Sequence, residues 1–161
     1  MRKNILVIAA LLIALVSLSG CEAIGGLVTK ITGASLGDSA GDKTLREGAI
    51  MEYVSNTSES LTVKMENRTD STWQSGNMRD YTLEAEKDGV WYTVTQVGEL
   101  ANTMELMLFA PGDEMTHTFK FSDRYGKLEA GKYRVVKSFW ANASETIEAG
   151  EFHLVCEFTV E

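Results

Sequence analysis

Two histidines and two cysteines are the only imidazoles and thiols in the chain, and their placement limits the chemistry available. His117 lies in Glu114–Phe121, where Met115, His117, Phe119 and Phe121 alternate onto one face. His153 lies on the polar side of Phe152–Val160, two residues after Glu151. A zinc site needs three or four ligands converging at about 2.0–2.3 Å on one ion; His117 has no second His or Cys near it in sequence, and His153 with Glu151 on one strand face could hold a metal only weakly. They read as a core or rim imidazole at His117 and a solvated one at His153, so no metal and no cofactor is assigned. An envelope enzyme or metal-dependent sensor is the alternative reading, and it has to combine His117, His153 and nearby carboxylates. Cys156 falls on the apolar face of the last strand, where a thiol is buried and inert. Gly33-Ala34-Ser35-Leu36-Gly37 spells G-x-S-x-G, but a nucleophile elbow needs a strand-to-helix turn, then an acid and a histidine in an α/β sheet. Here the pentad stands in a Gly-rich stretch with no β-branched strand before it. No catalytic residue is assigned, and the chain is expected not to be an enzyme.

Recognition is left to the tryptophans, of which there are three. Trp73 lies in a Ser/Gly/Asn-rich loop, Asn67 to Asn77, and two readings stand. Its ring stacks on a sugar or a peptide, or it folds back over the end of the domain. A binding site is expected at the loop end that carries Trp73, away from the strand faces. Trp91 and Trp140 lie on strands whose alternate faces the pattern leaves unassigned.

The elements that must position these residues are strands. Leu61, Val63 and Met65 oppose Thr62, Lys64 and Glu66; Tyr81, Leu83 and Ala85 oppose Thr82, Glu84 and Glu86. Asp88-Gly89 then joins that run to Val90–Thr95, a hairpin signal because both turn residues must take positive φ. Pro111-Gly112-Asp113 marks a turn before Glu114–Phe121. Lys132–Trp140 is rich in β-branched and aromatic residues, and Phe152, Leu154, Cys156, Phe158 and Val160 alternate to the end. With Ala49–Val54, about seven strands fill residues 49–161, which predicts an all-β fold, an antiparallel sandwich. A helical turn is expected only at Glu99–Leu106. Gly131 followed by Tyr133 at the start of the penultimate strand resembles the tyrosine corner of Ig-like sandwiches, and the two are the expected structural corner. The cysteine that follows such a tyrosine in disulfide-pinned domains is replaced here by Val135.

The N-terminus reads as an address. Arg2 and Lys3 precede a 12-residue run, Ile5 to Val16, without a polar side chain, and Ser17-Leu18-Ser19-Gly20 leads to Cys21. That is the architecture of a secretory signal peptide over residues 1–20, because a membrane-spanning helix needs about 20 apolar residues. Leu18-Ser19-Gly20-Cys21 resembles the lipobox of bacterial lipoproteins. The resemblance implies cleavage before Cys21, diacylglycerol on its thiol, and a protein lipid-anchored at the cell membrane on the extracytoplasmic face, cell surface or periplasm. Residues 21–48 then read as the lipidated N-terminus and a flexible linker, with Gly spread through Ser and Asp. Losing residues 1–20 removes Arg2 and Lys3 and no acid, so the formal charge moves from −8 to −10. Such a surface lacks the clustered Lys and Arg that nucleic acid requires, and it favours a neutral or cationic partner.

Residues 50–161 resemble the bacterial Ig-like domains of Firmicutes surface lipoproteins. The matching segments are Asn67-Arg68-Thr69-Asp70, Tyr81-Thr82-Leu83-Glu84, Asp88 to Val94, Pro111-Gly112-Asp113, Tyr125 to Leu128, Gly131 to Lys137 and Glu157 to Val160. The resemblance implies an Ig-like domain at 49–161 and no catalytic residue. The expected function is a lipid-anchored, non-enzymatic envelope protein that binds or adheres to an envelope protein or glycan. A purely structural spacer is a further alternative.

Overall fold

A computed structural model describes residues 35–98 and 105–161. The signal peptide, Cys21, the first part of the linker and positions 99–104 of the expected helical turn lie outside the described residues. Ten strands follow one another: β1 (Leu36–Ser39), β2 (Ala49–Thr57), β3 (Ser60–Asn67), β4 (Trp73–Ser75), β5 (Thr82–Lys87), β6 (Val90–Val94), β7 (Met107–Phe109), β8 (Glu114–Lys120), β9 (Gly131–Ala141) and β10 (Gly150–Val160). They form two antiparallel sheets: β2, β3 and β8 in one, and the rest in the other, ordered β1-β6-β5-β9-β4-β7 with β10 on the free side of β9. The architecture is an Ig-like sandwich.

β9 organises the larger sheet. One side pairs along its whole length with β10, from Gly131↔Val160 to Ala141↔Gly150. The other side is shared, its first half with β5 and its end with β4. Asp88 and Gly89 turn between β5 and β6 with φ of 54° and 79°, the left-handed pair that matches the twist of a two-residue hairpin.

Alternation puts Leu61, Val63 and Met65 of β3 in the core, opposite Leu83, Tyr133, Val135, Phe139, Phe152 and Phe158 of the larger sheet. Aromatic contacts cross the layers: Tyr81 meets Phe119 of β8 at 4.9 Å between ring centroids, and Phe121 stacks on Phe158 at 5.5 Å. Offset and edge geometries of this kind add to the area the rings remove from water.

Three strands exceed the expected seven: β1, β4 and β7. The linker expected over 21–48 also ends sooner than its composition implied. β1 pairs with the edge of β6, and Ala40 N–H donates to the Trp91 carbonyl at 2.8 Å. Lys43 Nζ then reaches Glu84 of β5 at 2.7 Å, and the Thr44 carbonyl accepts from His153 N–H of β10 at 2.7 Å. Residues 40–44 thus strap β6 to β10, and their backbone bonds and the Lys43 ion pair override the Gly/Ser/Asp composition. Glu84 is 1% exposed and holds Lys43 on one oxygen and Arg134 Nε, at 2.6 Å, on the other.

Candidate functional site

Trp73 is the first residue of β4, paired with Phe109 of β7 and Ala141 of β9. Its ring is 0% exposed. It packs on Phe109, Phe139 and Phe152 with centroids 5.1–5.9 Å apart, and its Nε1–H donates to Thr69 Oγ1 at 3.1 Å. No ligand can stack on it, so its expected recognition role falls, and with it the expectation of a loop-end site away from strand faces. The loop before it is organised by buried Asn67, whose amide donates to the Ser71 and Phe109 carbonyls while its oxygen accepts from Thr69 N–H and Oγ1–H. All four hydrogen-bonding positions of that side chain are filled.

The other candidates scatter. Tyr133 is buried, and its hydroxyl donates back to the Glu129 carbonyl at 3.0 Å. Burial pushes that phenol up to about 12. Gly131 opens β9 two residues before it. His117, half-buried on β8 of the smaller sheet, meets Phe119 edge-on at 4.8 Å, and burial, then the charge of Lys137, hold its imidazole below the usual range. His153 lies on β10 of the larger sheet beside Thr44. Among the described residues no group of three or more His, Cys, Asp or Glu could hold a metal. Cys156 is buried, and desolvation, with the charge of Glu157, pushes its thiol up to about 11. Ser35 is exposed and immediately precedes β1, where its carbonyl accepts from Thr95 N–H; an elbow would turn into a helix at this point.

The structure moves attention to the outer face of the larger sheet. There the row next to Trp73 reads Leu108, Gln74, Trp140 and Glu151, in register across β7, β4, β9 and β10. Trp140 is 47% exposed, and Leu106 and Leu108 stand open beside it. A shallow depression of about 380 Å³ includes Gln74, Asp80, Leu106, Ser138, Trp140 and Glu151 in its lining. A flat indole beside an amide, a hydroxyl and two carboxylates can stack on an apolar ring face and hydrogen-bond its rim. Trp91, on the same face, is covered instead: Arg134 lies 4.3 Å and Lys132 5.1 Å above its ring.

Sequence reasoning missed Trp140, although a signal was present. Tyr133, Val135 and Phe139 share one parity, which leaves Trp140 with Lys132, Arg134 and Ser138.

The sequence model of a family described as bacterial Ig-like domain matches residues 50–153 of this chain. No curated protein matches it.

Proposed function

The chain belongs to the bacterial Ig-like domain family, and from that premise we propose that it is a lipid-anchored cell-envelope protein that binds a neutral glycan or a protein through the Trp140 face. Domains of this family are generally non-catalytic and point to a surface or adhesion-type role. The observation that supports a binding role is the exposure of Trp140, in register with Gln74 and Glu151 on a rigid sheet. A large aromatic removes much apolar area from water at low entropic cost, and binding energy concentrates on such residues. Glu151 and Asp80 outnumber Lys137 in the lining, and with a formal charge of −8 on the chain they disfavour an anionic polymer. Anchoring rests on Leu18-Ser19-Gly20-Cys21: a diacylglycerol there, with two acyl chains, is enough for stable attachment. The test is capture from envelope extracts by the wild-type chain and by Trp140→Ala. Wild type should retain a component that Trp140→Ala loses by at least tenfold. Equal retention by the two refutes the assignment to this face.

A further inference from the structure

Two buried cations stand inside an acidic protein, Lys137 behind the Trp140 depression that it also lines and Arg124 at a separate cavity. Arg124 is 8% exposed and Lys137 1%. No carboxylate of the described residues forms an ion pair with either. Lys137 Nζ is held by two carbonyls, Asn77 at 3.1 Å and Asp80 at 2.7 Å. Arg124 is less well served. One terminal nitrogen, Nη1, donates to the Arg79 carbonyl, the guanidinium lies over Tyr81 at 5.1 Å and Tyr125 at 5.6 Å, and its buried Nε–H has no acceptor among the described residues. A guanidinium carries five donors in a planar fork, and burying it without a counter-charge is costly. The buried carboxylate of Glu84 does not relieve it, being taken by Lys43 and Arg134.

Arg124 lines a cavity of about 250 Å³ between the β4–β5 connection and β8, with Met78, Tyr81, His117 and Phe119 among its walls and exposed Arg79 also lining it. We infer that this cavity is a binding site for a carboxylate, with Arg124 and Arg79 as its cationic partners and Tyr81, Phe119 and Met78 around its short apolar stem. The volume suits a group the size of one acidic side chain or a chain terminus, below the range of a drug-sized ligand. A planar carboxylate matches the fork of a guanidinium, whereas Asp123, also in the lining, repels a doubly charged phosphate more strongly. Burial is the main cause that lowers the proton affinities of His117 and Lys137; the charge of Lys137 adds to it at His117, and at Lys137 Arg124 adds to it while Asp80 opposes it. This site stands independently of the Trp140 reading.

The chain carries two histidines, so the full protein in detergent micelles, labelled at the imidazole Cε1 carbons, gives one reporter in the cavity and one outside it. Acetate, exchanged against chloride at constant ionic strength, should displace the His117 signal saturably and leave His153 in place. Arg79→Ala, a change at an exposed side chain, should raise the half-saturating concentration about fivefold. Arg124→Lys, which keeps the charge but loses the fork, should raise it more than tenfold. A short peptide with a free C-terminal carboxylate distinguishes the sources: tighter binding than acetate, lost in its amide, identifies a partner chain, and acetate binding as well as the peptide identifies a free small acid. Both histidines drifting together, no saturable His117 shift in the wild type, saturation by inorganic phosphate but not acetate, or a half-saturating concentration unchanged in both variants overturns the inference.

Discussion

One step of register separates the two tryptophans that matter most. Trp73 sits opposite Ala141 and faces the core, while Gln74, the next residue, sits opposite Trp140 and faces solvent. The two rings should therefore answer truncation differently. Trp73→Ala opens a cavity among Phe109, Phe139 and Phe152 and should cost about 3–5 kcal/mol in a urea or thermal melt. Trp140→Ala removes an exposed side chain and should stay within about 0.5 kcal/mol of wild type. Equal losses would mean that β4 is one residue out of register. The alternation of β9 is plain in its sequence, but which parity faces inward depends on pairing with strands far away in the chain. Trp73 was harder still, because a polar loop composition surrounds it and its strand is three residues long. Tyr133 was legible, since its glycine corner and its position fix the ring locally.

At the level of elements, the long strands β3, β9 and β10 could be read from composition and period, and the β5–β6 hairpin from Asp88-Gly89. β1, β4 and β7 could not: three or four residues span too little of a period-two pattern, and each exists because a neighbouring strand offers an edge. The strap of residues 40–44 is the largest departure. It looks like a spacer, yet Lys43 and Arg134 meet on Glu84 beneath it. Removing the shared carboxylate from a buried pair leaves two cations side by side without their counter-charge. Glu84→Gln should therefore destabilise the domain by roughly 3 kcal/mol, at the lower end of the range for buried pairs because both cations retain some solvent access. Lys43→Met should cost less, since Arg134 still neutralises Glu84. Chemical denaturation of the two variants measures both. If Glu84→Gln melts with wild type, the strap is not clamped through this carboxylate.

For the whole molecule, the strap shortens the connection to the membrane that the lipobox resemblance implies. From Cys21 to Ser35 there are 14 peptide steps, which fully extended reach no more than about 50 Å at 3.3–3.6 Å per residue. A linker running to Gly48 would reach nearly twice that. A domain anchored at Cys21 would thus be held within about 50 Å of the bilayer, and a partner meeting the Trp140 face would have to lie in the envelope layer beside the membrane. The anchor itself makes the decisive prediction. The apolar run Ile5 to Val16 is too short to span the hydrocarbon core, so under the proposed anchoring stable attachment would depend on acyl chains at Cys21. Cys21→Ser removes the thiol that would carry them, and the variant should move from the detergent-rich to the aqueous phase on partitioning, while the wild-type chain stays in detergent. Intact mass adds a second readout: wild type should lack residues 1–20 and carry the added lipid, and the variant should carry none. Equal partitioning of the two chains, or an unlipidated wild-type mass, would remove the membrane from the account and leave the sandwich to act free of any surface.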